Sequence, residues 1–293
     1  MRVLVALKLS GDEEELIETA LAFGEHTGAE ILFMHVVDRS PLKRSFVRVP
    51  ESMAEYLYTK GERELGRVKE LAEGRGLKAG TRLVEGSPVD ELVREARRHD
   101  LVMMRSRVYS APEKLGRATE KMVSRCPKPV MLVNGVQRSF SACLVPVDGS
   151  QESFKALYHI RAMRERYRFR RVMILLVHTG RRKPLSREVR EEEAQERLSG
   201  TGRADLYEHR VILESAEGIV RDAAEEVVAE VVHTKLEVPE AILKYARKQG
   251  AKLIFMGARG RGARILPGST STKVITRSEI PVVVFPERYV PEG

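Results

Sequence analysis

The chain is poor in the residues that define several protein classes. Its 293 residues include no tryptophan and two cysteines, Cys126 and Cys143. Two cysteines without a paired spacing exclude a disulfide framework and a cysteine-based zinc site, so we expect a reducing, cytoplasmic location. No apolar run approaches the roughly 18 residues of a membrane-spanning helix, and the N-terminal segment does not resemble a signal peptide. These absences predict a globular cytoplasmic protein with no membrane partner.

Charge is plentiful, by contrast, and its balance is basic. Charged residues make up 32% of the chain, the formal net charge is +9 and the pI is about 9.6. Such a balance permits an anionic ligand or nucleic acid as partner. The basic residues are scattered and interleaved with glutamate, however, which does not favour nucleic acid.

The second half of the chain repeats the first half. The segment that begins at Asp100 aligns without a gap on the segment that begins at Lys252, an offset of 152 residues. This offset matches Leu101 with Leu253, Gly116 with Gly268 and Pro129 with Pro281. Both apolar strand patterns and the helical pattern between them align as well, which chance matches would not produce.

The starts of the two copies align at a smaller offset. The segment "VLVALKLSGDEEE" from Val3 lies on "CLVPVDGSQESF" from Cys143, an offset of 140 residues. The second copy therefore carries a net insertion, which we assign to the charged segment Arg181–Gly200. We predict a boundary near Gln137–Ser141, with one domain at 1–137 and another at 142–293.

Each copy alternates strand and helix patterns. In the second copy we predict strands at Cys143–Val147, Val172–His178, Glu230–Lys235, Leu253–Met256 and Pro281–Phe285, and helices at Ser150–Tyr167, Arg187–Leu198, Ala216–Val228, Pro239–Gln249 and Ser269–Arg277. Continuous apolar strands flanked by helices are typical of a parallel, doubly wound sheet. The fold class is therefore α/β, as two tandem Rossmann-like or flavodoxin-like domains, each with a five-stranded parallel sheet between helices.

A glycine-rich loop follows the fourth strand of the second copy. The sequence "GARGRGARILPGSTS" brings four glycines and a run of hydroxyl residues between Met256 and the last helix. Glycines let the backbone approach a ligand, and amides at a helix N-terminus favour phosphate. The loop has no Gly-Lys-Ser/Thr of a Walker sequence and no third glycine of a dinucleotide fingerprint. The alternative is a simple strand-to-helix turn in which Ser269 is the N-cap.

These residues resemble a known family. The spacing Gly257-x-x-Gly260 followed by Gly268-Ser269, after "LIFM" and before "PVVVFP", is similar to the nucleotide motif of universal stress proteins. "LVPVDGS" at the start of the same copy is similar to the first strand of that family. The resemblance covers the second copy well and the first in outline, and it implies a tandem universal stress protein whose second domain belongs to the ATP-binding branch.

The resemblance also implies roles for individual residues. Asp148 would accept a hydrogen bond from the adenine amine beside Pro146, and Thr179 would line adenine and ribose. The other residues implied to contact the nucleotide lie around the glycine-rich loop: Met256, Gly257, Arg259, Gly260, Gly268, Ser269, Thr270 and Ser271. Asp148 has a second interpretation, since Asp before Gly-Ser is also a common turn and helix-cap residue.

The loop departs from the family in length. Seven residues separate Gly260 from Gly268, fewer than is usual in the family, and Pro267 stiffens the loop. AMP or ADP is therefore expected to fit as well as ATP. Any Mg²⁺ would be held by phosphates and water rather than by a carboxylate cage.

The first copy has lost most of this motif. Lys8 stands where Asp148 does, and Arg105 stands where Gly257 does. We therefore expect the first domain to be structural, with Arg105 and Arg107 as the only indication of another anion site.

Three classes of function stay open at this point. The first is an adenine-nucleotide-binding stress or regulatory protein, the second a slow ATPase or self-phosphorylating enzyme, and the third an interaction protein without a ligand. His35 and His178 end matching second strands without a further ligand nearby, which favours a structural role over a metal site. No catalytic residue is predicted. Family resemblance also implies pairing through the last strands, within one chain as a pseudo-dimer or between two chains as a homodimer.

Overall fold

A computed structural model describes the fold of most of the chain. The described residues are 1–9, 11, 13–38, 51–108, 111–179, 201–258 and 269–291. The predicted helix Arg187–Leu198 and the assigned insertion lie outside these residues.

The first copy alternates strands and helices along the chain. Its elements are β1 (Arg2–Leu7), α1 (Glu14–Thr27), β2 (Glu30–Val37), α2 (Glu51–Gly74), β3 (Ala79–Glu85), α3 (Pro88–Ala96), β4 (Leu101–Arg105), the short pair β5 (Arg107–Val108) and β6 (Ala111–Leu115), α4 (Arg117–Arg125) and β7 (Val130–Val133).

The second copy follows the same order with longer second and third strands. Its elements are β8 (Ala142–Val147), α5 (Gln151–Ala162), α6 (Arg164–Tyr167), β9 (Phe169–Thr179), α7 (Thr201–Val220), β10 (Ala224–Thr234), α8 (Val238–Gln249), β11 (Leu253–Gly257), α9 (Ser269–Arg277) and β12 (Val282–Phe285).

Several helix ends follow directly from local sequence. Gly28 after α1 and Gly250 after α8 adopt φ of 64° and 68°, the left-handed conformation that glycine takes without a Cβ penalty. Pro88 and Pro239 lie in the first turns of α3 and α8, where a missing N–H costs no helical hydrogen bond.

The strands of both copies form one ten-stranded sheet. Its order is β10-β9-β8-β11-β12-β7-β4-β1-β2-β3. Within each copy the strands are parallel and follow the doubly wound order 3-2-1-4-5, with the switch point between the first and fourth strands. The α/β prediction is confirmed.

The two copies meet through their last strands. β12 and β7 pair antiparallel, with Val283 opposite Met131. These two residues are separated by the offset of 152 that relates the copies, so exchanging the copies maps the pair onto itself. Asn134 reinforces the junction, because its Nδ2 donates to the carbonyls of Ile275 (2.7 Å) and Ser278 (3.1 Å) at the end of α9.

Helices cover both faces of the sheet and bury two apolar cores. One face packs against α1, α2, α5, α6 and α7. The other face packs against α3, α4, α8 and α9. Each core includes residues of both copies, so the apolar packing is continuous across the junction. None of the described helices has a stretch long and apolar enough to span a bilayer.

Three predicted elements of the second copy were wrong in their bounds. The helix predicted over Ala216–Val228 ends at Val220, and the strand that follows begins at Ala224 rather than at Glu230. Pairing with β9 decides this, since β10 runs in register with it from Ala224 to Thr234. The helix predicted over Ser150–Tyr167 is broken at Met163, where φ is −104° and ψ is 12°.

Candidate functional site at the carboxyl edge of the sheet

The predicted ligand residues that the structure describes lie at one edge of the second copy. Because β8, β9 and β11 are parallel, their carboxyl ends share that edge, and the switch point lies between β8 and β11. Pro146 and Asp148 belong to the end of β8, Thr179 to the end of β9, and Gly257 to the end of β11. Ligands of open α/β sheets bind at such a point.

Asp148 organises the turn that leads from β8 into α5. Its Oδ1 accepts from the amide of Ser150 at 3.0 Å and from the Ser150 hydroxyl at 2.5 Å. Gly149 between them has φ of 76°, a conformation that suits glycine. The Ser150 hydroxyl in turn accepts from the amide of Ser153 and caps α5. The turn-forming interpretation of Asp148 is therefore present in the geometry, and its side chain is exposed at the sheet edge.

The fourth strand brings two more predicted residues beside Pro146. β11 pairs with β8 through Leu253–Cys143 and Ile254–Leu144. Continuing that register by two residues sets Met256 beside Pro146, on the face that α8 and α9 cover. Met256 and Gly257 are both buried at the strand end.

The start of α9 divides the predicted hydroxyl residues. Ser269 is exposed and Thr270 is half-buried. Ser271 is buried, and its hydroxyl donates to the carbonyl of Ala258 at 2.8 Å. That proton is therefore committed to holding α9 against the end of β11 rather than offered to a ligand.

A cavity of about 330 Å³ opens in front of α9. Its described lining consists of Thr179, Thr234, Lys235, Leu236, Glu237, Val238, Pro239, Ser269, Thr270 and Lys273. It thus joins three predicted residues, from β9 and α9, with the loop that links β10 to α8. Backbone amides at the N-terminus of a helix and two lysines contribute positive charge to this cavity, which exceeds the single negative charge of Glu237.

Sequence reasoning missed the two lysines of this cavity. Lys273 lies one turn into α9 and its Nζ is 2.6 Å from Oε2 of Glu237. Lys235 follows β10 and is exposed. A lysine one turn after a helix start of the kind that binds phosphate was itself a signal in the sequence.

Three predicted residues cannot be positioned. Arg259, Gly260 and Gly268 lie outside the described residues, as does most of the glycine-rich loop. Their assignment stays a prediction from the sequence.

The two histidines at the ends of the second strands contact a backbone carbonyl and other histidine rings. His35 Nδ1 lies 2.8 Å from the carbonyl of Leu7 and must donate to it. His178 packs against His209 and His233, with ring centroids 4.9 and 5.2 Å away. Within the described part of the chain, no group of three or more His, Cys, Asp or Glu residues could hold a metal ion.

Comparison with known proteins identifies the family. The family model described as "Universal stress protein family" matches residues 1–134 and 139–286. A curated universal stress protein of Methanocaldococcus jannaschii is 31% identical over 128 residues, covering 41% of this chain and 73% of that protein.

Solved structures share the whole fold. A universal stress protein from Archaeoglobus fulgidus aligns with a TM-score of 0.72 at 24% identity, covering 97% of this chain and 98% of that one. A Pseudomonas aeruginosa structure assigned to the same family aligns with a TM-score of 0.58 at 14% identity, over 97% and 92% of the two chains. At these identities the likeness establishes the fold, and the family model covers nearly the full length. The chain belongs to the universal stress protein family, with two tandem copies of its domain.

Proposed function

We propose that the second copy binds an adenine nucleotide and that the chain acts as a nucleotide-dependent stress or regulatory protein of the cytoplasm. The observation that carries the proposal is the electropositive cavity at the start of α9, on the same sheet edge as Asp148 and Pro146. The cavity matches the phosphate end of a nucleotide, and the Asp148 carboxylate matches the base, whose amine needs an acceptor. Both lie beside the same switch point.

The adenine end of the site is formed by the first and fourth strands. Pro146 and Met256 supply apolar surface for the base, and the Asp148 carboxylate accepts from the exocyclic amine. Asp148 can do so while holding Ser150, because a carboxylate has about four acceptor positions. A guanine base carries an oxygen in place of that amine, so this end favours adenine.

The phosphate end is formed by α9 and the loop before α8. The amides of the first turn of α9 and the Thr270 hydroxyl would donate to phosphate oxygens, while Lys273 and Lys235 supply charge. Thr179 lines the same cavity and would contact ribose. Arg259, Gly260, Gly268 and Ser269 complete this end by the family motif.

Binding rather than turnover is the activity that the cavity supports. Of its described lining residues, the only carboxylate is Glu237, and Lys273 holds it at 2.6 Å. A carboxylate paired in this way is a poor base for activating water. Mg²⁺ would enter with ATP, through phosphates and water.

The antiparallel pairing of β12 with β7 joins the two copies into one sheet. We take it as the intramolecular counterpart of a dimer contact, which brings one degenerate and one competent domain into a fixed relation.

Calorimetric titration of the ligand-stripped protein with ATP, ADP, AMP and GTP tests the proposal. We expect one adenine-selective site per chain. Asp148→Ala should weaken ATP binding about tenfold or more, because a hydrogen bond to a charged group is worth roughly 1.5–3 kcal/mol.

Ser150→Ala is the matched control, since it removes the Asp148 partner and the α5 cap but no proposed nucleotide contact. Loss of affinity in Asp148→Ala with retention in Ser150→Ala would identify a direct contact. Equal losses in both variants would show that Asp148 only shapes the turn, and no binding by any nucleotide would overturn the proposal.

A further inference from the structure

A large cleft lined by described residues lies in the first copy. It has a volume of about 870 Å³, and it lies at the carboxyl ends of β1, β2 and β4, closed by α2, α3 and the start of α4. Its described lining consists of Ala6, Leu7, Lys8, Gly11, Glu13, Met34, His35, Val36, Val37, Asp38, Leu57, Pro88, Leu92, Met104, Arg105 and Ala118. Cavities of this size hold drug-sized molecules.

Apolar residues dominate the walls of this cleft. Ten of the sixteen lining residues are aliphatic, proline or methionine. Met34, Leu92 and Met104 also belong to the apolar core beneath, so these walls are firmly packed. A molecule that buries apolar surface here gains about 25 cal/mol per Å².

Four charged residues line the cleft, the cations Lys8 and Arg105 and the carboxylates Glu13 and Asp38. The residue at the end of the first strand differs from that of the second copy. Lys8 occupies the position of Asp148, and its side chain is exposed, with no ion pair to any described residue. The buried Glu13 carboxylate lies beside it, and its Oε1 accepts from the Lys8 amide at 2.9 Å. Lys8 therefore presents to the cleft an ammonium that forms no ion pair with a described residue, although the carboxylates of Glu13 and Asp38 line the same cleft.

The fourth strand of the first copy closes the place where a nucleotide would approach. Arg105 replaces Gly257, and its guanidinium lies 3.0 Å from Glu15 across the strand end. An arginine held there removes the open backbone that the family motif provides. His35 also lines the wall, and its Nδ1 donates to the carbonyl of Leu7.

From this combination we infer that the first copy binds an apolar carboxylic acid. Its carboxylate pairs with the Lys8 ammonium, and its apolar body lies against Met34, Leu92 and Met104. This site is separate from the proposed nucleotide site and does not depend on it. It replaces the expectation that the first copy is only structural.

Calorimetric titration with decanoate tests the site, with decyltrimethylammonium as the probe of equal alkyl chain and opposite charge. Both are used below their micellar concentrations, in the Asp148→Ala background, so that the outcome is independent of the nucleotide site. We expect one decanoate site per chain and binding at least about tenfold tighter than that of the cation.

Three variants locate the decanoate in the cleft. Lys8→Met keeps the aliphatic stem and should weaken decanoate binding about tenfold. Ala6→Phe fills the cleft and should abolish binding, whereas Lys244→Met removes an exposed charge on α8 and should change nothing. Lys8 is exposed, so its variant is expected to fold even if Ala6→Phe does not.

Two results would overturn the inference. One is equal affinity for the two probes, or a Lys8→Met affinity equal to that of the unaltered chain. The other is competition of ATP with decanoate in the Asp148→Ala background, which would make the first cleft a nucleotide site after all.

Discussion

The ends of β1 and β8 occupy equivalent positions in the two copies but carry opposite charges. In the first copy the amide of Lys8 donates to the Glu13 carboxylate at 2.9 Å. In the second, the amide of Asp148 is directed at the Ser153 hydroxyl at 3.4 Å. Both acceptors lie five residues on, at the start of the next helix. Both copies thus place a hydrogen-bond acceptor at the start of the first helix, but the acceptor is a carboxylate in one and a hydroxyl in the other. The side chains at this edge of the sheet can therefore differ between the copies without a change in topology.

A second pair of equivalent contacts ties the first helix of each copy to its last strand. The Thr19 hydroxyl accepts from the amide of Gln137 at 3.0 Å. At the matching positions of the second copy, His159 Nδ1 lies 2.7 Å from the hydroxyl of Tyr289. The first contact does not titrate near neutral pH, whereas the second contains an imidazole.

The largest expected effect comes from giving the second copy the first copy's residue at the end of β11. Gly257→Arg places a long side chain at the end of β11, where the proposed nucleotide approaches the backbone, and the arginine should exclude the nucleotide sterically. We expect ATP affinity to fall by about 100-fold, which corresponds to about 2.8 kcal/mol at about 1.4 kcal/mol per tenfold change. Calorimetric titration measures the loss.

Gly218→Arg is the control for that substitution. Gly218 lies on α7, and a Cβ there would meet nothing within 4 Å, so an arginine is accommodated. Unchanged nucleotide affinity in Gly257→Arg, with a normal thermal transition, would mean that the end of β11 is not part of the site.

The sequence predicted the sheet, the repeat and the edge that holds the candidate site, because buried parallel strands read as continuous apolar runs. The predicted bounds of β10 were wrong for a physical reason. It is an edge strand whose Glu225, Glu226 and Glu230 face solvent, so its pattern resembles a helix until β9 is known to pair with it. The break at Met163 could not be predicted from the local sequence either. It accompanies a contact that exists only in the folded chain, in which Tyr167 stacks on Phe169 with ring centroids 5.1 Å apart.

Only those residues of the site that belong to a local sequence pattern could be predicted. Asp148 and Gly257 could be named because each ends a strand that meets the same edge. Lys235 and Lys273 come together from a loop and a helix that only the folded chain brings near Glu237. The cleft of the first copy was missed for the same reason, since its walls come from three strands and three helices and carry no motif.

An intermediate effect is expected on the free energy of unfolding as the pH is lowered, and it should arise from a histidine of the second copy. Burial lowers the pKa of His159 to about 3, whereas an unfolded histidine titrates near 6.5. The folded state therefore takes up this proton only at much lower pH, and stability is lost as pH falls below about 6.5. Between pH 7.5 and 5 we expect a loss of about 2 kcal/mol from this group, measured by urea unfolding.

His159→Gln separates that contribution from the rest. The variant should be less stable at pH 7.5, because two tyrosine hydroxyls lose their partner, but its stability should fall less steeply toward pH 5. Thr19→Ser, at the matching position of the first copy, should leave the slope of the unaltered chain unchanged. Parallel slopes for His159→Gln and the unaltered chain would contradict the assignment.

The smallest expected effect concerns the caps that start the helices. The Ser150 hydroxyl accepts from the amide of Ser153 and caps α5, so Ser150→Ala should lower the free energy of unfolding by about 1 kcal/mol. Ser87 precedes α3 in the first copy but makes no side-chain cap hydrogen bond, so Ser87→Ala should cost only a few tenths. Urea unfolding of both variants compares them directly. If the two substitutions cost the same, the turn built by Asp148 and Ser150 contributes no capping energy, and its hydrogen bonds would then have to be explained by the ligand that Asp148 is proposed to hold.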